Sequence, residues 1–265
     1  MTIDARIGII GGAGWLGSAL IRAAVSTGAI DPAQLTVSGR SDSKGSIADV
    51  PAYFTRDNSA AIARSDIVIL SVRPQQFRDL HLDLRGKLAL SVMAGLSCET
   101  IAEATQASGV VRAMPNAAAA IGQSFTPWFA TQDVTSEQKA IVQAFLQASG
   151  EAVEVSQESQ VDYFTGMTGS GAAFPALLAE ALVAHAVSNG VPRDLAQKAA
   201  IKIMTGASQL FAGPAGDTGA IVKAMIEYQG VVAVALQAML DCGFNQTVAA
   251  GLDAAAAKVS TLASS

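Results

Sequence analysis

Polar and apolar positions fall into a repeating block pattern over the first 155 residues. Short, mostly apolar runs stand at residues 7–10, 34–38, 67–72, 88–93, 110–116, 124–130 and 151–155, and each reads as a strand. Helical stretches separate most of them, at 18–26, 59–64, 99–107 and 136–148. Ile67-Val68-Ile69-Leu70 has no polar interruption, as expected of a central parallel strand covered on both faces. The order through residue 116 is βαβ, with residues 54–58 following an irregular link. Beyond Ser156 the strand signal stops. What remains is one helix before Met167, one over 172–188, one opened by Pro192 and running to Phe211, one from Asp217, and two after Gly230 and Asn245. Pro192 suits a first helical turn and Asp217 an N-cap. The pattern predicts an α/β domain over residues 1–156 followed by an all-helical domain over 157–265.

The helix over 172–188 carries Phe174, Leu177, Leu178, Ala181, Leu182 and His185 at helical spacing, yet its other faces hold Ala179, Val183, Ala184, Ala186 and Val187. A helix apolar all round needs cover all round. About a hundred residues of helix offer too little of it, so this domain is expected to pack against its copy in a second subunit. His185 then reads as a core or interface histidine.

The first strand leads into Gly11-Gly12-Ala13-Gly14-Trp15-Leu16-Gly17, in which Gly12, Gly14 and Gly17 stand in G-x-G-x-x-G register. A strand, a glycine turn and a helix start in this order are the context of a Rossmann-type dinucleotide site. The first glycine allows the turn, the second lets a pyrophosphate approach the backbone, and the third lets helix and strand pack closely. The helix start offers N–H groups and a positive dipole end to phosphate, which makes Trp15 and Leu16 part of the site. Arg6 and Arg22 flank the apolar residues 7–21, an outline shared with signal peptides, but Gly8, Gly11, Gly12, Gly14 and Gly17 argue against that reading.

The second strand ends in Ser38-Gly39-Arg40-Ser41. An acidic residue there would hold the ribose hydroxyls of NAD, whereas an arginine among small hydroxyls suits the 2′-phosphate of NADP. Ser38, Arg40 and Ser41 therefore predict NADPH over NADH. The central strand ends in Ser71-Val72-Arg73-Pro74, on the carboxyl edge where ligands bind in open sheets.

Composition narrows the classes. The chain of 265 residues is 51% hydrophobic and only 15% charged, which again suggests surface buried between subunits. A net charge of −5 and a pI near 5.0 do not prepare a surface for nucleic acid. The apolar run near the N-terminus is too short to span a membrane. Cys98 and Cys242 form neither a disulfide framework nor a zinc site, and with His81 and His185 as the only histidines no metal centre is expected. A reducing cytoplasm is the natural setting.

The ordered set Gly12-Ala13-Gly14-Trp15-Leu16-Gly17, Gly39-Arg40-Ser41, Asp57-Asn58, Val72-Arg73-Pro74-Gln75, Met93-Ala94-Gly95-Leu96-Ser97, Val111-Arg112-Ala113-Met114-Pro115-Asn116, Thr168-Gly169-Ser170-Gly171-Ala172-Ala173-Phe174 and Gly190-Val191-Pro192-Arg193-Asp194-Leu195-Ala196 resembles the pyrroline-5-carboxylate reductases over nearly the whole chain. The resemblance implies a Rossmann-type NADP-binding domain followed by an all-α dimerisation and substrate domain. It also implies hydride transfer from NAD(P)H to the C=N carbon of a cyclic imino acid to give proline, and a homodimer interleaved through its helices. By the same resemblance Arg40 and Asn58 lie at the adenosine end of the cofactor, Val72 to Pro74 near its middle, and Ala94, Gly95 and Asn116 near the nicotinamide.

The chain departs from the family in one important place. Where the family has a small, hydroxyl-rich loop for the substrate carboxylate, residues 227–232 read Glu-Tyr-Gln-Gly-Val-Val, and Val232 stands at the position of a hydrogen-bonding threonine. Ala172 replaces a proline, Trp15-Leu16 replaces Asn-Met, and the glycine turn has one extra residue. Imine reduction needs alignment and electrostatics more than acid–base machinery. Thr168, Ser170 and Gly171 at a helix start are candidates for holding the substrate, Tyr228 is the candidate replacement hydroxyl donor, and Glu227 a partner for a cationic group. The alternatives are a reductase of a different imine or carbonyl, and a non-catalytic NADPH-binding dimer.

Overall fold

A computed structural model of the chain describes residues 3–40, 47, 49–169, 171–211 and 217–264. Eight strands form one sheet: β1 (Ile7–Ile10), β2 (Leu35–Ser38), β3 (Tyr53–Thr55), β4 (Ile67–Leu70), β5 (Leu88–Ser91), β6 (Gly109–Ala113), β7 (Ser124–Ala130) and β8 (Gly150–Glu154). Their spatial order is β3-β2-β1-β4-β5-β6-β7-β8, so the chain reverses direction across the sheet between β1 and β4. That is the switch point at which open α/β sheets bind ligands.

The strand pattern explains the layers. Ile67 and Ile69 point into one apolar cluster with Leu20, Ile21, Trp128 and Phe145, whereas Val68 and Leu70 point into a second with Ala61, Ile62, Phe77 and Ile101. Alternate residues of one strand thus bury against different helical layers, and a strand covered on both faces has no polar position to spare. The covering helices are α1 (Trp15–Ser26), α2 (Asn58–Ala63), the single turn α3 (Pro74–Phe77), α4 (Cys98–Thr105) and α5 (Ser136–Gln147). α5 opens with a capping box: Thr135 accepts the N–H of Gln138 while the Gln138 side chain accepts the N–H of Thr135.

Three details depart from the sequence reading. α1 begins at Trp15 rather than Ser18, so Trp15 and Leu16 are its first two residues and Gly14 its N-cap. Residues 54–58, which the sequence reading places after an irregular link without a strand, contribute Phe54 and Thr55 to β3, a short edge strand paired parallel to β2. β4 stops at Leu70, two residues early: Ser71 and Val72 lie between strand and helix, Arg73 is the N-cap of α3 and Pro74 its first residue. The parallel order holds through β6, and β7 runs antiparallel to it. The connection between β6 and β7 holds only the short 3-10 turn Ala117–Ile121, and without a crossover helix the chain returns alongside the strand it has just left. β7 and β8 are parallel again because α5 supplies the crossover.

After β8 the described residues are helical: α6 (Glu158–Met167), α7 (Ala173–Ser188), α8 (Arg193–Phe211), α9 (Thr218–Glu227), α10 (Val231–Asp241) and α11 (Phe244–Ser264). By packing, the chain divides into one unit of Met1–Gly171 with Ala254–Ser265 and a second of Ala172–Asp253. The second unit has little interior of its own. Its buried cluster is Val183, Ala196 and Ala200, and α7 buries only Val183 although it is apolar on every side. Within one chain the expected all-round burial of α7 is therefore not achieved, and His185 is exposed. Among the described residues no single helix is long and apolar enough to cross a membrane; α9 and α10 pass such a test only as a pair, and they are bent by 118°.

Candidate active site

The turn after β1 is built by glycines. Gly11 has φ +79°, and a Cβ there would stand 2.4 Å from the Ser71 carbonyl oxygen, so the ends of β1 and β4 approach closely only with glycine at this position. A Cβ on Gly17 would meet the Gly12 Cα at 2.8 Å, which is the close helix–strand approach that seats α1 over the sheet. The first bond inside α1 runs from the Ser18 N–H to the Gly14 carbonyl at 2.9 Å. The Gly11 and Gly14 N–H groups of the preceding turn donate to the carbonyls of Ser38 and Gly11, each at 3.0 Å, whereas the N–H groups of the first turn of α1, from Trp15 to Gly17, fall outside the helical ladder at the positive end of the helix dipole, the arrangement that favours an anion.

Below this turn lies a cleft of about 750 Å³, lined by Gly11, Ala13, Gly14, Ser38, Gly39, Arg40, Arg56, Asn58, Ser71, Val72, Arg73, Gln76, Asp79 and Leu80. Its size suits an organic cofactor. The Ser38 hydroxyl donates to the Asn58 side-chain oxygen and so holds the start of α2 to the end of β2. Arg40 lies beside Gln76, whose amide oxygen, when turned towards it, accepts from both terminal guanidinium nitrogens at 3.2 and 3.3 Å. Arg40, Arg56 and Arg73 line this cleft, with Asp79 the one acidic residue among the described residues of its lining. A dinucleotide carries several phosphate charges and needs backbone N–H groups at its pyrophosphate and fixed cations at a 2′-phosphate; the donor set of this cleft fits that requirement.

The residues expected from sequence divide into groups. Gly14, Ser38, Arg40, Asn58, Ser71, Val72 and Arg73 come together in this cleft. Gly12 and Gly17 lie beneath it as packing glycines, Leu16 packs against the core, and Pro74 opens α3. Trp15 is placed apart, 64% exposed in a second groove with Ala119, Ala120, Ile121 and Gly122. Ser41 and Ser170 lie outside the described residues.

Ala94 and Gly95 follow β5, with Gly95 at φ +74°, and Asn116 follows β6. Asn116 is held by its own side chain, which accepts the Ala118 N–H at 2.9 Å, and by its N–H, which donates to Ser124 at 3.0 Å. Thr168 ends α6 with its hydroxyl donating to the Phe164 carbonyl at 3.0 Å, and a Cβ on Gly171 would lie 3.5 Å from the Asn116 side-chain nitrogen. Glu227 and Tyr228 belong to the helical unit, at the end of α9. Glu227 lies 3.8 Å from Lys223, and Tyr228 is 85% exposed.

Sequence reasoning missed Arg56, Gln76, Asp79 and Leu80 in the cleft. Arg56 carries a sequence signal, a cation one residue before Asp57-Asn58, but its place in the cleft depends on the three-residue edge strand β3. Nor does the sequence reading hold the ion cluster in which the buried Arg112 of β6 meets the partly exposed Glu158 and Asp162 of α6, each at 2.6 Å. Burial works to lower the Arg112 pKa, but hydrogen bonds and charge from Asp162 and Glu158 outweigh it and hold the guanidinium above its ordinary value. Among the described residues no group of three His, Cys, Asp or Glu is placed to hold a metal ion.

A mainly parallel sheet with a glycine turn at its switch point, and a cationic cleft under that turn, define a Rossmann-type dinucleotide-dependent oxidoreductase. Residues 6–95 match the family model described as NADP oxidoreductase coenzyme F420-dependent, and residues 158–262 match the one described as pyrroline-5-carboxylate reductase dimerisation. The pyrroline-5-carboxylate reductase of Corynebacterium melassecola is 31% identical over 83% of this chain and 90% of its own length. The chain belongs to the pyrroline-5-carboxylate reductase family. Among solved structures, a pyrroline-5-carboxylate reductase from Coxiella burnetii has the same fold, with a TM-score of 0.89 at 23% identity over 98% of this chain and 99% of that one. The Plasmodium falciparum pyrroline carboxylate reductase with NADP bound gives a TM-score of 0.84 at 22% identity, over 99% of this chain and 100% of that one.

Proposed function

We propose that this protein is an NADPH-dependent reductase that converts pyrroline-5-carboxylate to proline, working as a homodimer in the cytoplasm. The observation that carries the cofactor half of this reading is the cleft in which the glycine turn meets Arg40, Arg56 and Arg73. Family membership carries the substrate half.

When bound, NADPH supplies a hydride to the imine carbon. The chain's own part is to bind and align. Gly14 and the first turn of α1 receive the pyrophosphate, Arg40 with Ser38 and Asn58 at the rim receives the adenosine end and its 2′-phosphate, and Val72 to Pro74 support the middle. Ala94, Gly95 and Asn116, at the ends of β5 and β6, shape the nicotinamide end. Thr168 and Gly171 are proposed for the substrate in the sheet-containing unit, and Glu227 and Tyr228 for substrate recognition in the helical unit. Such a site works by holding donor and acceptor in line rather than by a catalytic triad.

The dimer reading rests on the helical unit. Leu177, Leu210, Val231 and Val234 are each more than 70% exposed there, and exposed apolar side chains in such numbers mark an interaction surface. A second copy laid against these helices would supply the cover that α7 lacks.

A related cyclic imine as the true substrate is the second reading, favoured by the junction of α9 and α10. There Tyr228 is exposed, Gln229 has φ +56° and Gly230 opens a helix whose first residues are Val231 and Val232. No side chain in that turn caps the helix, and Glu227 disfavours a carboxylate. The test is NADPH oxidation with pyrroline-5-carboxylate and detection of proline. Turnover supports the main reading. Its absence, with turnover of an imine lacking the carboxylate, moves the activity to the second reading, and NADPH binding without turnover of any imine rejects both.

A further inference from the structure

Arg112 is the charged exception in an otherwise apolar strand. β6 is buried at every position, and strand alternation places Arg112 on the same face as Val110. Its side chain is 2% exposed, with Nη1 donating to Glu158 and Nη2 to Asp162 at 2.6 Å each. These two carboxylates stand four residues apart and share one face of α6. The same Glu158 oxygen that meets Arg112 also accepts the backbone N–H of Cys98, the first residue of α4, at 2.7 Å. One guanidinium and one carboxylate thus join β6, α6 and α4.

Each of these elements leads within a few residues to the nicotinamide end of the site. β6 runs on to Asn116, α4 follows the Ala94–Gly95 turn, and α6 ends at Thr168, three residues before Gly171. None of the ion-cluster residues lines the cleft beneath the glycine turn. Only the Arg112 end of this cluster is buried, Glu158 being 28% and Asp162 41% exposed, and as a device for stability it is poor, because the desolvation of the guanidinium offsets much of the attraction. What a guanidinium adds is direction, since its N–H groups leave a rigid plane at fixed angles.

We propose that Arg112 is a positioning residue for hydride transfer, setting the spacing between the Gly95 turn, Asn116 and the end of α6. This inference rests on the reductase reading above.

The test uses the full-length protein with Arg112→Lys and Glu158→Gln. Lysine keeps the charge and loses the fork; glutamine keeps an oxygen for the Cys98 N–H and loses the charge. The readouts are kcat and KM with pyrroline-5-carboxylate, the NADPH dissociation constant by fluorescence, and the primary isotope effect with NADPH deuterated at C4. For Arg112→Lys the expected result is a kcat lower by about 10- to 100-fold, an unchanged NADPH dissociation constant and a larger isotope effect, with Glu158→Gln intermediate. A purely structural role predicts a different outcome: lower thermal stability with kcat per folded molecule unchanged, or kcat and NADPH affinity falling together. Either result overturns the proposal. If Arg112→Lys does not fold, Glu158→Gln decides by the same readouts. An inactive wild-type protein that binds NADPH overturns the reductase reading itself, and this inference with it.

Discussion

Arg40 shows how much one side chain decides. It stands two residues after β2, at the rim of the cleft and within reach of Gln76. A guanidinium facing a 2′-phosphate makes charge-assisted, paired hydrogen bonds that a ribose hydroxyl cannot replace. Arg40→Ala is therefore expected to weaken NADPH by about 10- to 100-fold, the equivalent of one charged hydrogen bond or two, while NADH affinity stays nearly constant. Titration of the variant with both cofactors checks this; equal losses would remove Arg40 from the 2′-phosphate. Its place at the cleft was legible in the sequence because strand order alone puts it there. Arg56 was not, since its place depends on recognising a three-residue edge strand.

At the scale of elements, the start of α4 illustrates how packing sets chemistry. Cys98 is the first residue of this helix, capped by Ser97, and is buried in the second apolar cluster. Burial, followed by the charge of Glu158, pushes its thiol up to about 12. Because the folded value lies above that of an unfolded thiol, about 8.5, the neutral thiol's contribution to stability is fully present below that pH. It is lost as the pH rises towards about 12. Urea unfolding at pH 8 and pH 10.5 should show a fall in stability that Cys98→Ala largely removes, and alkylation at pH 8 should reach Cys98 only after unfolding. Rapid modification of Cys98 in the native protein would contradict the burial. None of this was visible in the linear pattern: Cys98 and Glu158 are sixty residues apart and meet only because α6 covers β6.

The whole molecule divides the apolar residues unevenly. The sheet-containing unit buries nearly all of its aliphatic strands, whereas the helical unit leaves Leu177 72% exposed together with Leu182, Leu195, Ile201 and Leu210. A charge placed in the middle of such a surface costs nothing in a monomer but must be desolvated in a dimer. Leu177→Glu is accordingly expected to leave the helix content intact and shift the protein from dimer to monomer in sedimentation, with a lower melting temperature. A monomeric wild-type protein would refute the dimer reading.

Sequence by itself determined the alternation of strands and helices other than β3, the glycine turn at the first strand, an arginine just past the second and the shift to an all-helical half. Each of these is a local property: period, turn chemistry and the residue at a strand end are set by neighbours along the chain. The antiparallel return of β7, the edge strand β3, the Arg112 cluster and the separation of Trp15 from the cofactor cleft were decided only by the tertiary structure. They depend on which distant segments share a layer. That is settled by the balance of burial and desolvation over the whole sheet, a balance that no window of sequence contains.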